Sequence, residues 1–324
     1  SSTVVVGASS SSSTGGAATS GTATGGSSGA VACGAPGAPG TRVTRLTHEQ
    51  YANVVRTLLN LPATAEPAAG FQTDPTTDGF DNNADQLVVI GRLGRDYRRA
   101  AEEVALLVAT TPSLRDPLVG CTPSGDGTAC ARTFITSFLR RAYRRPATPA
   151  EITRYMTLFS QAHSFFPSGT DPFNEGVQVV IDAALQSASF LYRVELSTTA
   201  GLPGFIRLGS HEVAARLALM LWNGLPDTLL DQAADANELQ TPEQVAAQAQ
   251  RMLEDPRARS VVEDFHSQWL NLDGYANLAR DPGTFPEFTT SLREPLRDEA
   301  LSFTNDVVFT QNGNLEMLYT APFT

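Results

Sequence analysis

From about residue 40 onward, apolar residues recur every three to four positions and almost nowhere alternate. A chain with that period can bury one face only by coiling into α-helices, because a strand needs a period of two. Thr47, with Gln50 three residues on, reads as a capping box, and Tyr51, Val54, Val55, Leu58 and Leu59 form the first stripe, stopped near Pro62. A polar loop follows, from about Pro67 to Asp85. Further stripes are Leu93-Tyr97-Ala101-Val104-Val108 and Phe134-Ile135-Phe138-Leu139-Ala142, the second ended by Pro146. Thr148-Pro149 with Glu151, and Thr241-Pro242 with Gln244, are helix starts with a capping threonine and proline in the first turn. Val177 to Leu185 marks a helix of about 18 residues. Ser210 is expected to cap the helix carrying Val213, Leu217 and Met220. Stripes through Phe265 and Trp269, and through Leu296, Ala300, Phe303 and Val307, complete the pattern. The expectation is an all-α fold: a multi-helix, bundle-like body of about nine or ten helices after a disordered N-terminal tail.

The tail is residues 1–40, where Ser, Gly, Thr and Ala account for 33 of 40 positions and no charge occurs. Too little apolar surface is present to offset the entropy of ordering it, so it reads as a linker. The body divides into an N-terminal helical module at 41–110, a second at 111–170 around a cysteine loop, and a larger one at 171–324. The last residues carry no obvious stop, which predicts further modules beyond residue 324. A Ser/Gly/Thr leader ahead of a folded body suits an exported or lipid-anchored protein whose signal peptide is gone.

All 23 basic residues are arginine, against 34 acids, for a net charge of -11. The lack of lysine excludes Schiff-base chemistry and the phosphate-loop lysine. An acidic chain without a basic tail is a poor partner for nucleic acid. No run of apolar residues is long enough to span a bilayer, so any membrane contact is expected only through a removed or lipidated N-terminus.

Cys121 and Cys130 flank a Pro/Gly/Asp-rich turn that a disulfide could close, contributing about 2–3 kcal/mol. Two buried free thiols are the alternative; a metal site is weakly supported, since Cys-x-x-Cys is missing and no histidine lies nearby. Cys33 is left over.

The sharpest local pattern for chemistry is the stretch from Asp74 to Asp85. Asp74, Thr76, Asp78, Asn82 and Asp85 fall at calcium-loop positions, with Gly79 at the turn. Asp85 replaces the usual bidentate Glu, and Asp81 stands where an apolar residue is usual, so a turn in which Asp and Asn bond their own backbone is the competing reading. Arg140, Arg141, Arg144 and Arg145 close a helix: they either complement its carbonyls, clamp an internal carboxylate such as one in the 74–85 loop, or fork an anion. The Arg92-Arg95-Arg98-Arg99 group reads as a solvated face. His48-Glu49 and His211-Glu212 begin like a zinc-protease motif, but Ala52 and Ala215 occupy the second histidine's place. His266 reads as core-lining beside Phe265, and Gly25-Gly26-Ser27-Ser28-Gly29 as a chance match to a nucleophile elbow. The aromatics Tyr97, Phe138, Trp222 and Trp269 sit in apolar stripes and read as core. No catalytic or cofactor-binding residue is assigned.

Four segments occur together: Arg45-Leu46-Thr47-His48-Glu49-Gln50-Tyr51-Ala52-Asn53, Asp78-Gly79-Phe80-Asp81-Asn82-Asn83-Ala84-Asp85, Arg140-Arg141-Ala142-Tyr143-Arg144-Arg145-Pro146-Ala147-Thr148, and Leu219-Met220-Leu221-Trp222-Asn223-Gly224-Leu225-Pro226-Asp227. Their order resembles planctomycete and myxobacterial surface-protein modules of unknown function, which often accompany a planctomycete-type cytochrome c domain. The resemblance spans roughly 42–324 and implies an extracytoplasmic, multi-module protein with a cytochrome c among its possible partners. Cys-x-x-Cys-His is missing, so no covalent haem is expected in this chain, and calcium is the one candidate ligand. The expected function is an accessory or scaffold portion of an envelope-associated assembly. The alternative is an extracytoplasmic oxidoreductase or polymer-acting enzyme whose site other modules complete.

Overall fold

The computed structural model describes residues 42–201 and 205–321; the expectations for the 1–40 tail, Cys33 and the Gly25–Gly29 match lie outside the described residues. Strand β1 (Val43–Arg45) leads into α1 (His48–Leu59). Then come α2 (Gly91–Thr110), α3 (Pro112–Val119), α4 (Thr128–Tyr143), α5 (Pro149–Gln161) and α6 (Pro172–Leu185). The single turn α7 (Ala188–Leu191) feeds strand β2 (Tyr192–Val194). The C-terminal part consists of α8 (Ser210–Trp222), α9 (Thr228–Asp235), α10 (Pro242–Leu253), α11 (Arg257–Trp269), α12 (Arg293–Asn305) and α13 (Leu315–Thr320). The fold is all-α. The two strands have three residues each and pair antiparallel, Val43 opposite Val194 and Arg45 opposite Tyr192, too short to leave an alternating pattern.

The caps explain where the main helices begin. Thr47 Oγ1 accepts from the Gln50 N–H while Gln50 Oε1 accepts from the Thr47 N–H, both at 3.2 Å. Thr148 with Glu151 and Thr241 with Gln244 repeat this box, each with proline in the first turn. At the first of these, the Arg145 guanidinium, helped by the Thr148 N–H and hydroxyl, holds the Glu151 carboxyl down to about 2. Thr148→Ala is expected to cost about 1 kcal/mol in urea unfolding at neutral pH. An unchanged midpoint would show that the box is not formed in solution. Two starts differ from the sequence reading. Gly209 rather than Ser210 caps α8, because the Glu212 carboxylate closes back on the Gly209 N–H at 2.8 Å. α6 has 14 residues, its start set by the Asp171 cap and Pro172.

Two hydrophobic clusters follow from these faces. The larger draws Tyr51, Val55, Tyr97, Phe134, Phe138, Ile181 and Phe190 together from α1, α2, α4, α6 and α7. The α5–α6 crossing is close: a Cβ on Gly176 would meet the Phe159 ring at 2.5 Å, so glycine is what lets the two helices approach. The smaller cluster joins α8, α9 and α10 around Trp222, Leu230 and Met252. Trp222 Nε1 donates to the Met252 carbonyl at 2.9 Å, and the Arg257 guanidinium lies 3.5 Å from the centre of its ring. α12 buries Thr304 and α13 buries no residue. No helix among the described residues is long and apolar enough to cross a membrane.

Candidate functional site

The start of α1 anchors the region in which polar chemistry collects. Arg45 is buried, with its side chain 1% exposed, and its guanidinium donates to Asp74, to the Tyr97 hydroxyl at 2.8 Å and to the Leu46 carbonyl. Asp74 also accepts from the His48 N–H at 2.7 Å, and its Oδ1 lies 3.2 Å from His48 Nε2. A buried guanidinium is tolerated only with such a partner set. Burial, with Arg45 close by, holds His48 below the ordinary imidazole value despite Asp74.

The segment after Asp74 folds back as a tight two-residue turn. Thr77 and Phe80 exchange backbone hydrogen bonds at 2.8 and 3.0 Å, with Asp78 at φ 53° and Gly79 at φ 90°. Asp-Gly suits that left-handed pair. The turn docks on α11: the Phe80 ring stacks on Phe265 at 5.5 Å, and the Asp81 N–H donates to Gln268 Oε1 at 3.0 Å. Gln268 Nε2 in turn donates to Asp264 Oδ1 at 2.9 Å. Between α1, this turn and α11 lies a cleft of about 430 Å³ lined by His48, Asp74, Thr76, Asp81, Asp264 and Asp273, among others.

Glu49, one residue past His48, takes part electrostatically. Burial first, then the Asp264 and Asp81 carboxylates, push its carboxyl up to about 7, against a hydrogen bond from Asn223 and the charge of Arg56. Burial and Asp264 likewise raise Asp81, against its bond to Gln268. Near neutral pH the Glu49 carboxyl, which does not itself line the cleft, is therefore only partly ionised, within the field of carboxylates that do. Folded Glu49 keeps its proton more tightly than the unfolded chain does. Stability is thus expected to fall as pH rises from about 4.5 through about 7. Glu49→Gln, which stays neutral, should flatten that fall and be the more stable protein at about pH 8, as read by urea midpoints across the range. Parallel profiles for the two proteins would mean that Glu49 titrates as an exposed carboxyl.

The five calcium-loop residues are divided. Asp74 and Thr76 line the cleft, but Asp74 is engaged with Arg45. Asp78 is exposed at the turn, Asn82 lines a neighbouring pocket beside Arg193, and the Asp85 N–H bonds Asn83 Oδ1 at 3.0 Å. Among the described residues no group of three or more His, Cys, Asp or Glu is placed to hold a metal ion. The arginines mostly serve as clamps. Arg144 is buried and donates to the Ala142, Ser189, Phe190 and Tyr192 carbonyls, and burial, with Arg145 and Arg193 near, lowers it to about 10. Arg145 forks Glu151, and Arg140 reaches Asp235 at 2.7 Å. The partner for Asp74 is Arg45, not this cluster. His266 is core-lining, its Nδ1 at 2.7 Å from the Val262 carbonyl. Cys121 and Cys130 stand as a pair with Cα atoms 5.7 Å apart.

The sequence reading missed Glu49, Asp81, Asp264 and Gln268. Asp264 and Gln268 do share a helix face at four-residue spacing, but nothing local tells that face to meet a turn nearly two hundred residues earlier.

Each of the four segments singled out in the sequence makes a junction. Arg45 holds the 74 loop, Phe80 and Asp81 hold α11, and Arg144 holds the 188–192 backbone. Asn223, at φ 45° after α8, accepts from Gln50 Nε2 at 3.3 Å, while Asp227 caps α9 and pairs with Arg251. Three family models match successive stretches of the chain. Residues 44–110 match PSD3, a family of unknown function (DUF1587), residues 130–195 match PSD5 (DUF1595), and residues 208–324 match PSD4 (DUF1592). No curated protein and no solved structure matches the chain. Three successive stretches of the chain are therefore similar, in order, to PSD3, PSD5 and PSD4, families of unknown function.

Proposed function

We propose that this chain is the helical portion of an exported protein of the periplasm or cell surface, serving as an accessory or scaffold piece of an envelope-associated assembly. The observation that carries this reading is the pairing of Cys121 with Cys130, which an oxidising compartment would keep closed. The junction-making role of those four segments supports it, since their most buried charges brace backbone and neighbouring helices. Further modules of the same polypeptide and a cytochrome c are the partners proposed, with membrane contact only through a lipidated or removed N-terminus. Thiols should be titrated in natively isolated, unreduced protein after unfolding. Cys121 and Cys130 are expected to be unreactive; two free thiols at these positions would overturn export.

One observation favours a second reading: the Glu49 carboxyl, pushed up to about 7 beside Asp264 and Asp81. On that reading Glu49 and the carboxylates of the adjoining cleft form the acid–base half of an oxidoreductive or polymer-acting site that other modules complete. Visible absorption and metal content of the full-length protein separate the two. Stoichiometric haem, copper or iron favours the enzyme, and a clean spectrum favours the scaffold. Calcium is proposed for the same cleft. Because Asp74 already neutralises Arg45, a cation reached through Thr76 would have to recruit Asp81 and Asp264. Melting at millimolar calcium and with chelator decides it: a reversible rise of several degrees supports calcium, and superimposed curves end it.

A further inference from the structure

The end of α4 buries a positive charge that the chain itself does not balance. Arg144 follows the helix in the left-handed region (φ 57°) and is 5% exposed. Its four hydrogen bonds, from Nη1 and Nη2, all go to backbone carbonyls, and none leaves Nε. The other buried guanidinium among the described residues, Arg45, pairs with Asp74. Carbonyl dipoles satisfy N–H groups but supply no counter-charge. Burial, and then Arg145 and Arg193, make the Arg144 proton easier to lose, the mark of a positive local field. Arg145 is engaged with Glu151. Arg193 is less well matched. Glu195, the carboxylate beside it, is forked by Arg216, and Arg193 Nε, 3.2 Å from Glu195 Oε1, is buried without a hydrogen bond. Two guanidinium groups therefore share one carboxylate, close to a third that has none.

A cavity of about 250 Å³ lies against these groups, lined by Arg144, Arg145, Arg193, Ser189, His211 and Glu212, among others. Glu212 is the one acid in that lining. Its oxygens accept from the Leu196, Ser197 and Gly209 N–H groups and from the Ser197 hydroxyl, so they serve the loop before α8 rather than a guanidinium. His211 lies 3.3 Å from Asp235. Residues 1–41, 202–204 and 322–324, outside the described part, contain no aspartate or glutamate, so no acidic side chain among them is left to neutralise Arg144.

We propose that this cavity binds a free oxyanion of phosphate size, held by the Arg144 and Arg193 guanidinium groups. A guanidinium meets an oxyanion through parallel N–H···O bonds, which strengthen where water is scarce. The volume suits one small anion and is too small for a nucleotide. The anion fork expected of the 140–145 arginine run thus narrows to Arg144, with its second arm, Arg193, arriving from β2. This goes beyond both functional readings above and depends on neither.

The probe is inorganic phosphate, added to the full chain at neutral pH, with sodium chloride at matched ionic strength as the reference. Phosphate in the millimolar range is expected to raise the melting temperature by several degrees and to saturate, whereas chloride does not. Arg193→Gln, which leaves Glu195 paired with Arg216, should weaken phosphate binding about tenfold. Ala188→Glu, at an exposed position on the cavity wall, supplies the missing carboxylate and should abolish the phosphate effect. Arg92→Gln/Arg95→Gln, which removes two exposed arginines outside the cavity lining, should bind phosphate as the parent does. Melting curves in chloride show that each variant folds. The proposal is overturned if phosphate and chloride act alike, if Arg193→Gln and Ala188→Glu respond as the parent does, or if the distant arginines weaken the response as much as Arg193 does.

Discussion

Replacing Asp74 by alanine is expected to cost about 3–5 kcal/mol of stability, because it strands the Arg45 guanidinium in the interior without a counter-ion. The loss also takes the acceptor for the His48 N–H that helps fix the start of α1. In thermal unfolding this corresponds to a fall of about 10 °C for a body of this size. In urea it appears as a lower midpoint at an unchanged slope. The compensating pair Arg45→Met/Asp74→Leu, which removes both charges, should recover much of the loss, since the penalty arises from the uncompensated charge rather than from the missing bond. A cost below about 1 kcal/mol for Asp74→Ala would mean that the pair is solvated in solution.

Phe134→Ala is expected to have a comparable effect. Phe134 is fully buried in the larger core and stacks on Phe138 at 5.5 Å between ring centres. Truncation loses the transfer energy of the ring and leaves a cavity that neighbours on α1, α2 and α6 fill only in part, about 3–5 kcal/mol in all. Phe285→Ala, at a position 54% exposed, should stay within about 0.5 kcal/mol in the same urea titration. Similar losses at both sites would place the main core elsewhere than between α1, α2, α4 and α6.

Much of the helical framework could be read along the chain. The stripes through Tyr51 and Val55, through Phe134 and Phe138, and through Val177 and Ile181 are the faces that enter the larger core. Thr47, Thr148 and Thr241 cap where their neighbours predicted. These features are local: a side chain bonds a backbone three residues away, or a face repeats at the helical period, whatever the rest of the chain does. The misses are of another kind. α3 and α9, at eight residues each, are too short for a period to emerge, and the three-residue strands pair residues some 150 positions apart. Gly209 displaces Ser210 as a cap because Glu212 and Ser197 meet there in space.

The candidate site shows the same division. His48, Asp74, Asp81 and the Asp78-Gly79 turn belong to segments that stand out in the sequence, and the turn chemistry follows from Asp-Gly itself. A linear count of oxygen ligands from Asp74 to Asp85 treats those side chains as converging, whereas Arg45, arriving by way of β1, turns Asp74 inward.

The sequence alone determined that this polypeptide builds α-helices and where the principal ones start, because helical periodicity and capping act over a few residues. It also determined the acidic, lysine-free character of the surface. Which charges are buried, and that Glu49 comes under the influence of Asp264, were decided only by tertiary packing. Burial and Coulomb interaction depend on distance in space, and residues 49 and 264 carry no sign in the chain that they will meet.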